Sequence, residues 1–230
     1  MTISTLIDNG RGAGEMMFHL AARWRRSSRT AWGATPEEDA ATFPGDEQVP
    51  NPTWGYTHAV TIDASPSQVW QWVVQLGQGR GGFYSFELLE NLVGCDIHNA
   101  GVIRPDLQHL AVGDTVLLHP KGPPLAVAVI EPERCLVLVG SDGTGAPISL
   151  WAFHLSRSDV GSTRLIERGR YVVGRSLGQR LTLGPMILEP ISFVMSRQML
   201  RTIKELAERQ PATVPSAVGG ELDGVLGRDD

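Results

Sequence analysis

Residues 73–92 read VVQLGQGRGGFYSFELLENL, where a helical pattern ends in a glycine-rich bend and a second helical pattern begins. Four of the six residues in Gly77–Gly82 are glycine, which predicts positive φ or close approach by another group. Arg80 lies within the bend, and Tyr84 and Glu87 follow it. Polar side chains beside bulky apolar ones are typical of the wall of a ligand cavity. A tight helix–helix corner is the alternative interpretation.

The composition is that of an ordinary soluble globular protein. The chain has 230 residues, 42% hydrophobic and 20% charged, with a formal net charge of −5, which argues against a dedicated nucleic-acid binder. It has no apolar run of the roughly 20 residues that a membrane helix needs. Two cysteines without a CxxC pair predict neither a disulfide framework nor a zinc site. We expect a cytoplasmic protein without a cofactor.

Three segments follow from the residue patterns. Residues 1–55 form an N-terminal part, in which 1–14 is expected to lack regular structure, 15–29 is a basic amphipathic helix, and the rest is a proline-containing arm. That helix is expected to pack on its own domain, with contact to a membrane or a partner protein as the alternative. Residues 56–210 form the folded domain, and residues 211–230 are expected to be a disordered tail.

The folded domain shows a strand, two short helices, several further strands and one long helix. Tyr56–Ile62 alternates as a half-buried strand does, and Ser65-Pro66 is typical of a helix start. Five or six antiparallel strand candidates between residues 102 and 173 predict a meander. The helix Pro190–Glu208 has a wide apolar surface, which we expect to lie across the sheet.

Several phrases of the sequence resemble the SRPBCC superfamily, the START-like group of polyketide cyclase/dehydrase and lipid-transport proteins. They are FPGDEQVP (43–50), ASPSQVWQWVVQLGQGRGGFYSFELLENL (64–92), IRPDLQHLAVGD (103–114), STRLIERGR (162–170) and FVMSRQMLRTIKELAE (193–208). The resemblance covers residues 36–208 and is closest to a bacterial branch of mostly unassigned function. It implies an α+β helix-grip fold: a curved antiparallel β-sheet around a long C-terminal α-helix, two short helices after the first strand, and a cavity between sheet and helix.

Candidate site residues come from the predicted faces of these elements. Tyr84, His154 and Glu87 are the catalytic candidates, with His119, Glu90 and Glu167 as further acid–base candidates. The ligand-binding candidates are Arg80, Trp151, Phe153, Arg164, Arg168, Met195 and Met199. Strand alternation places His154 opposite Trp151, so both can enter the cavity only if a bulge intervenes. Arg164 and Arg168 are alternatively a solvated outer stripe, and Met195 and Met199 plain core residues.

The sequence lacks the signatures of nucleophile elbows, zinc proteases and phosphate-binding loops. Asp96, His98 and His109 lack the spacing of metal ligands, so no metal is expected. Three functions therefore compete. The first is a binding or carrier protein for a hydrophobic, partly oxygenated small molecule, and the second a cyclase/dehydrase-type enzyme of bacterial secondary metabolism. The third is an interaction module that uses the basic helix. The chain could act as a monomer or a homodimer.

Overall fold

A six-stranded antiparallel sheet forms the centre of the molecule. The computed structural model describes residues 3–21, 26–158, 161–174 and 184–210. The strands are β1 Trp54–Ile62, β2 Thr115–Val116, β3 Leu125–Glu131, β4 Cys135–Ser141, β5 Pro147–Arg157 and β6 Thr163–Tyr171. Their order in the sheet is β1-β6-β5-β4-β3-β2. The last five strands therefore form the predicted meander, and the first strand pairs with the last.

The described part of the chain has six α-helices packed around this sheet. They are α1 Ile3–Ala21, α2 Arg26–Thr30, α3 Pro36–Ala40, α4 Pro66–Val74, α5 Glu87–Leu92 and α6 Leu188–Glu208. The long helix α6 packs against β1 and α4, and its buried side includes Phe193, Leu200 and Ile203. The predicted helix-grip arrangement, a curved antiparallel sheet around the C-terminal helix, is confirmed.

The start of α4 shows how local sequence positions the elements around the bend. The Ser65 hydroxyl accepts a hydrogen bond from the backbone N–H of Gln68, and the Ser65 backbone N–H donates one to the side-chain oxygen of Gln68. This capping box satisfies two backbone N–H groups that the first helical turn leaves without partners. Pro66 occupies the first turn, where a missing N–H is harmless. The bend Gly77–Gly82 follows shortly after this helix.

The two faces of the sheet are covered by different parts of the chain. The concave face packs against α4 and α6 in one large apolar cluster. On the convex face a second cluster contains Val137, Val139, Leu150 and Ala152, and Val49 of the N-terminal arm packs on it. The arm is therefore part of the folded domain's core, because it removes the outer face of β4 and β5 from water.

The N-terminal segment differs from the expectation. Residues 1–14 were expected to lack regular structure, yet α1 begins at Ile3. Its Gly12 lies against the ring of Phe86, where an added Cβ would be 2.8 Å from the ring. Glycine lowers helix propensity, but here it permits a tertiary contact that stabilises the helix.

The predicted basic helix 15–29 is divided between α1 and α2, and residues 22–25 lie outside the described residues. The buried guanidinium of Arg29 donates to Glu189 on α6 over 2.6 Å, and Arg197 of α6 pairs with Glu15. This segment thus packs on its own domain. No helix in the described ranges is both long and apolar enough to cross a bilayer. The predicted tail 211–230 lies outside the described residues.

Candidate ligand-binding site

A cavity of about 360 Å³ lies between the concave face of the sheet and the first half of α6. Its wall is mainly apolar, with Phe83, Trp151, Ile191, Met195 and Met199 among the lining side chains. The other lining residues are Tyr56, Ser85, Glu90, Cys95, Leu118, Leu125, Ser149, Leu150, Glu167, Tyr171, Leu188, Ser192 and Ser196. Among the described residues, the lining includes no lysine, arginine or histidine, and its two carboxyl groups are those of Glu90 and Glu167.

The first carboxyl group, that of Glu167 on β6, is fully buried. Its Oε1 accepts three hydrogen bonds: from the Tyr56 hydroxyl (3.0 Å), the Trp151 indole N–H (2.7 Å) and the Ser196 hydroxyl (2.8 Å). These donors come from β1, β5 and α6. A buried carboxylate is unfavourable without hydrogen-bond partners, so these three donors stabilise Glu167. Because they come from two strands and from α6, the cluster also holds the helix against the sheet at the wall of the cavity.

The second oxygen of Glu167 faces a histidine. Oε2 lies 3.5 Å from Nδ1 of His58, and neither atom has a hydrogen-bond partner in the described part of the chain. The other ring nitrogen, Nε2, is 2.8 Å from the carbonyl of Arg29, so Nε2 carries a proton and donates it. One further proton between Nδ1 and Oε2 would join the two groups.

The register of the strands explains why these residues meet. His58 lies directly opposite Glu167, and Tyr56 opposite Gly169, on the concave face. On the other side of β6, Trp151 is also opposite Gly169. The phenol and the indole therefore approach the carboxylate diagonally from both neighbouring strands, across a residue that has no side chain.

The phenols of this wall remain protonated. Burial is the main cause that raises the pKa of Tyr171 to about 12. Burial, followed by the nearby charge of Glu167, also raises the pKa of Tyr56 well above its ordinary value. Both hydroxyls are therefore neutral at physiological pH, and their oxygens can accept a hydrogen bond from a ligand.

The second carboxyl group belongs to Glu90 on α5. Only 6% of this residue is exposed, and its Oε2 is buried without a hydrogen-bond partner among the described residues. Burial, and then the negative charge of Glu87, raise the pKa of Glu90 to about 7. Glu90 was one of the acid–base candidates from the sequence, as was Glu167.

Three of the predicted ligand-binding residues line the cavity: Trp151, Met195 and Met199. Their role in binding stays a prediction. Phe153 is fully buried next to Trp151, with ring centroids 4.9 Å apart, but it belongs to the packed core and not to the lining. Trp151 and Phe153 do share the concave face, as the alternation indicates.

His154 lies outside the cavity, which corrects its expected position. The strand is regular between residues 149 and 157, so its imidazole points to the convex face. There it stacks on Phe43 of the arm, with ring centroids 4.7 Å apart. Without a bulge at this position, strand alternation alone decides the side.

Arg164 and Arg168 also lie on the convex face, where they hold the arm. Arg164 donates to the carboxylate of Glu38 over 2.7 Å, and Arg168 donates to Asp46 over 2.8 Å. Neither guanidinium contributes to the cavity lining. Their predicted place in the cavity is therefore corrected, because alternation along β6 puts them on the face opposite to Glu167, where the acidic residues of the arm pair with them.

The candidates in the bend support its structure and do not line the cavity. Tyr84 is buried and accepts a 2.6 Å hydrogen bond from Gln75. Glu87 accepts one from the backbone N–H of Asn99 over 2.5 Å. Arg80 donates to three backbone carbonyls and has no carboxylate partner within ion-pair distance in the described chain. These contacts match the interpretation of the bend as a tight helix–helix corner.

The polar cluster around Glu167 includes three residues that sequence reasoning did not select as site residues: Tyr56 and Ser196, which line the cavity, and His58, which contacts Glu167 but does not line the cavity. Alternation along β1 does place Tyr56 and His58 on one face. No local pattern shows that they face Glu167, which lies more than 100 positions away along the chain.

Asp96, His98 and His109, which were considered as metal ligands in the sequence, are not among any group of potential ligands in the described chain. Within the described ranges, no three His, Cys, Asp or Glu residues could hold a metal ion together.

Comparisons with known proteins add fold neighbours. No protein-family model and no curated protein matches the chain. A solved structure of the protein MLL2253 from Mesorhizobium loti is 19% identical over 67% of this chain and 98% of its own, with a TM-score of 0.37. A Polyketide_cyc-like protein, Cgl2372 from Corynebacterium glutamicum, is 19% identical over 66% of this chain and 88% of its own, with a TM-score of 0.33.

A third solved structure is also similar to this chain. The protein NE0264 of Nitrosomonas europaea, 14% identical over 72% of this chain and 98% of its own, has a TM-score of 0.42. At such identities and scores the neighbours assign no function. The site must therefore be interpreted from its own geometry.

Proposed function

We propose that this protein binds a hydrophobic, partly oxygenated small molecule of polyketide, lipid or terpenoid type and acts as a binding or carrier protein. The observation that carries the proposal is the apolar cavity of about 360 Å³ between the sheet and α6. Its volume lies within the range of about 300–1,000 Å³ that small-molecule sites occupy, and such sites are mostly apolar with few polar groups.

The lining fits such a ligand in two ways. Trp151 offers a broad rigid surface, and Met195 and Met199 offer flexible side chains that adapt to irregular shapes. The hydroxyls of Tyr56 and Tyr171 at the polar wall can orient one ligand oxygen. Together these features favour recognition of a carbon skeleton that carries few oxygen atoms.

The hydrogen bonds of Glu167 favour binding over catalysis. Oε1 already accepts three hydrogen bonds, and Oε2 is buried towards His58. Oε1 is therefore engaged by protein donors, and Oε2 faces His58, which does not line the cavity, so neither oxygen is free to meet a ligand. Glu167 therefore orients the donors around the cavity.

Binding can be tested with prodan, an uncharged fluorescent naphthyl ketone whose emission shifts to the blue in apolar surroundings. We expect Trp151→Ala to weaken its binding by about 2–4 kcal/mol, as for other aromatic anchors. Phe43→Ala is the matched control, because it removes an aromatic ring on the convex face of the same sheet. Equal affinity of wild type and the double variant Trp151→Ala, Met195→Ala would contradict the proposal.

The buried carboxylate of Glu167, with the imidazole of His58 next to it, favours a second candidate, an enzyme of cyclase/dehydrase type. In such an enzyme, Glu167 would act as a base that takes a proton from the carbon next to a ketone, and that carbon would receive a proton from solvent in return. Prodan bound in D₂O would then exchange the protons beside its carbonyl, as observed by NMR, and Glu167→Gln would abolish the exchange. Binding without catalysed exchange supports the carrier function.

A further inference from the structure

Glu90 is a buried polar side chain that nothing in the fold explains. It lines the cavity from α5, is 6% exposed, and makes no side-chain hydrogen bond or ion pair with the described residues. A backbone contact places it near one end of the cavity: the N–H of Cys95 donates to the Glu90 carbonyl over 3.1 Å. The Cys95 thiol in turn lies 3.9 Å from the carbonyl of Leu118.

In the described part of the chain, no cation pairs with the Glu90 carboxylate. The titratable groups on α1, α5 and the start of the loop after α5 are Asp8, Arg11, Glu15, His19, Glu87, Cys95, Asp96 and His98, and His119 and Arg197 lie on neighbouring elements. Both arginines pair with Glu15, and the ring of His119 contacts the carbonyl of Val93. Glu87 adds negative charge, and burial raises the pKa of the Cys95 thiol, which stays neutral.

From this geometry we propose that Glu90 in its protonated form donates a hydrogen bond to an oxygen of an uncharged ligand. The proposal rests on the proposed binding function and names the ligand class. A carboxylic acid buried in an apolar wall is a donor, and its unpartnered oxygen marks where a ligand atom would lie. A pKa of about 7 makes the protonated form accessible at physiological pH.

The charge of the lining selects the ligand further. Two carboxyl groups line the cavity and, among the described residues, no lysine, arginine or histidine does, so a fatty acid or another anion would meet no positive partner in this part of the lining. Glu167 on β6 and Leu125 on β3 are three strand spacings apart, so the cavity spans about 14 Å across the sheet. The ligand class is therefore an uncharged apolar molecule with a carbonyl, ether or hydroxyl oxygen towards Glu90.

The test measures prodan affinity between pH 5.5 and 8.5 for wild type, Glu90→Gln and the control Asp96→Asn, which changes an exposed acid in the loop after α5. Wild type should bind roughly tenfold or more weakly at the upper end, because the ionised carboxylate cannot donate. Glu90→Gln should bind with nearly constant affinity, since its amide donates at every pH. Asp96→Asn should behave as wild type does.

The outcomes separate this inference from the proposed function. A wild-type affinity that does not change with pH, or a Glu90→Gln variant that keeps the wild-type slope, overturns the role of Glu90 alone. Tighter binding of a trimethylammonium analogue at high pH would also overturn it, because the carboxylate would then recognise a cation. If neither wild type nor any variant bound prodan at any pH, the proposed function would be overturned as well. A ¹³C NMR titration of the ligand-free protein gives an independent check, because Glu90 should titrate near pH 7.

Discussion

Gly169 is the residue on which the polar wall of the cavity depends. A Cβ at this position would lie 2.3 Å from the ring of Tyr56, closer than any real contact. The phenol therefore lies flat on the backbone of β6, and only from there does its hydroxyl reach Glu167. A glycine within a strand normally weakens the sheet. Here the absence of a side chain leaves room for the ring of Tyr56.

We expect Gly169→Ala to lower the free energy of unfolding by roughly 1–3 kcal/mol, because the methyl group must displace a buried ring. Prodan binding should weaken with it. Urea unfolding measures the first effect, and Gly143→Ala is the control, since an added Cβ there meets no atom within 4 Å. Intrinsic backbone propensity alone predicts that Gly169→Ala raises the free energy of unfolding. An unchanged or raised stability of this variant would therefore contradict the packing argument.

At the scale of elements, the bend after α4 is held by one guanidinium. Arg80 donates to the carbonyls of Leu76 (3.2 Å), Val74 (3.0 Å) and Leu107 (3.2 Å). Val74 is the last residue of α4 and Leu76 lies two residues beyond it, whereas Leu107 belongs to the short 3-10 helix Pro105–Leu107. One side chain thus joins a helix end to a distant loop, which requires several donors in a fixed plane.

Arg80→Lys should therefore lower the melting temperature, with a loss of roughly 1–3 kcal/mol, because an ammonium group cannot reach all three carbonyls. Differential scanning calorimetry gives the measurement. Arg104→Lys, which changes an exposed arginine paired with Asp106, should melt close to wild type. If Arg80→Lys did the same, the guanidinium would not be what holds this corner.

Elements with strict alternation could be predicted well from the sequence. In β5 the period of two places Trp151 and Phe153 on one face and His154 on the other, and the structure agrees. The first part of α1 could not be predicted in the same way, because it contains three glycines and one of them, Gly12, packs on the distant side chain of Phe86. The polar wall was inaccessible for a related reason. His58 and Glu167 become neighbours only through the pairing of β1 with β6.

For the whole molecule, the buried His154 predicts a dependence of stability on pH. Burial on the convex face lowers its pKa from the ordinary value of 6.5 to about 4. The unfolded chain therefore binds a proton at higher pH than the folded chain does. The stabilising contribution is complete above about pH 6.5 and is lost as the pH falls towards 4, with a total of roughly 3 kcal/mol.

Unfolding by urea at pH 7 and at pH 4.5 measures this contribution. We expect His154→Phe to show a smaller loss of stability on acidification than wild type, since it has no imidazole to protonate. His109→Gln, which changes an exposed histidine, should lose as much as wild type does. An unchanged acid loss in His154→Phe would assign the pH dependence to other groups.

The arm on the convex face also determines when the molecule can be completed during synthesis. Glu38 and its partner Arg164 are 126 positions apart, and Asp46 and Arg168 are 122 apart. A ribosome that adds about 5–20 residues per second makes those arginines roughly 6–25 s after the arm. Until then the arm lacks its ionic partners, and β1 lacks the strand with which it pairs. The nascent chain is therefore most exposed to proteases and to chaperones just before β6 emerges from the ribosome.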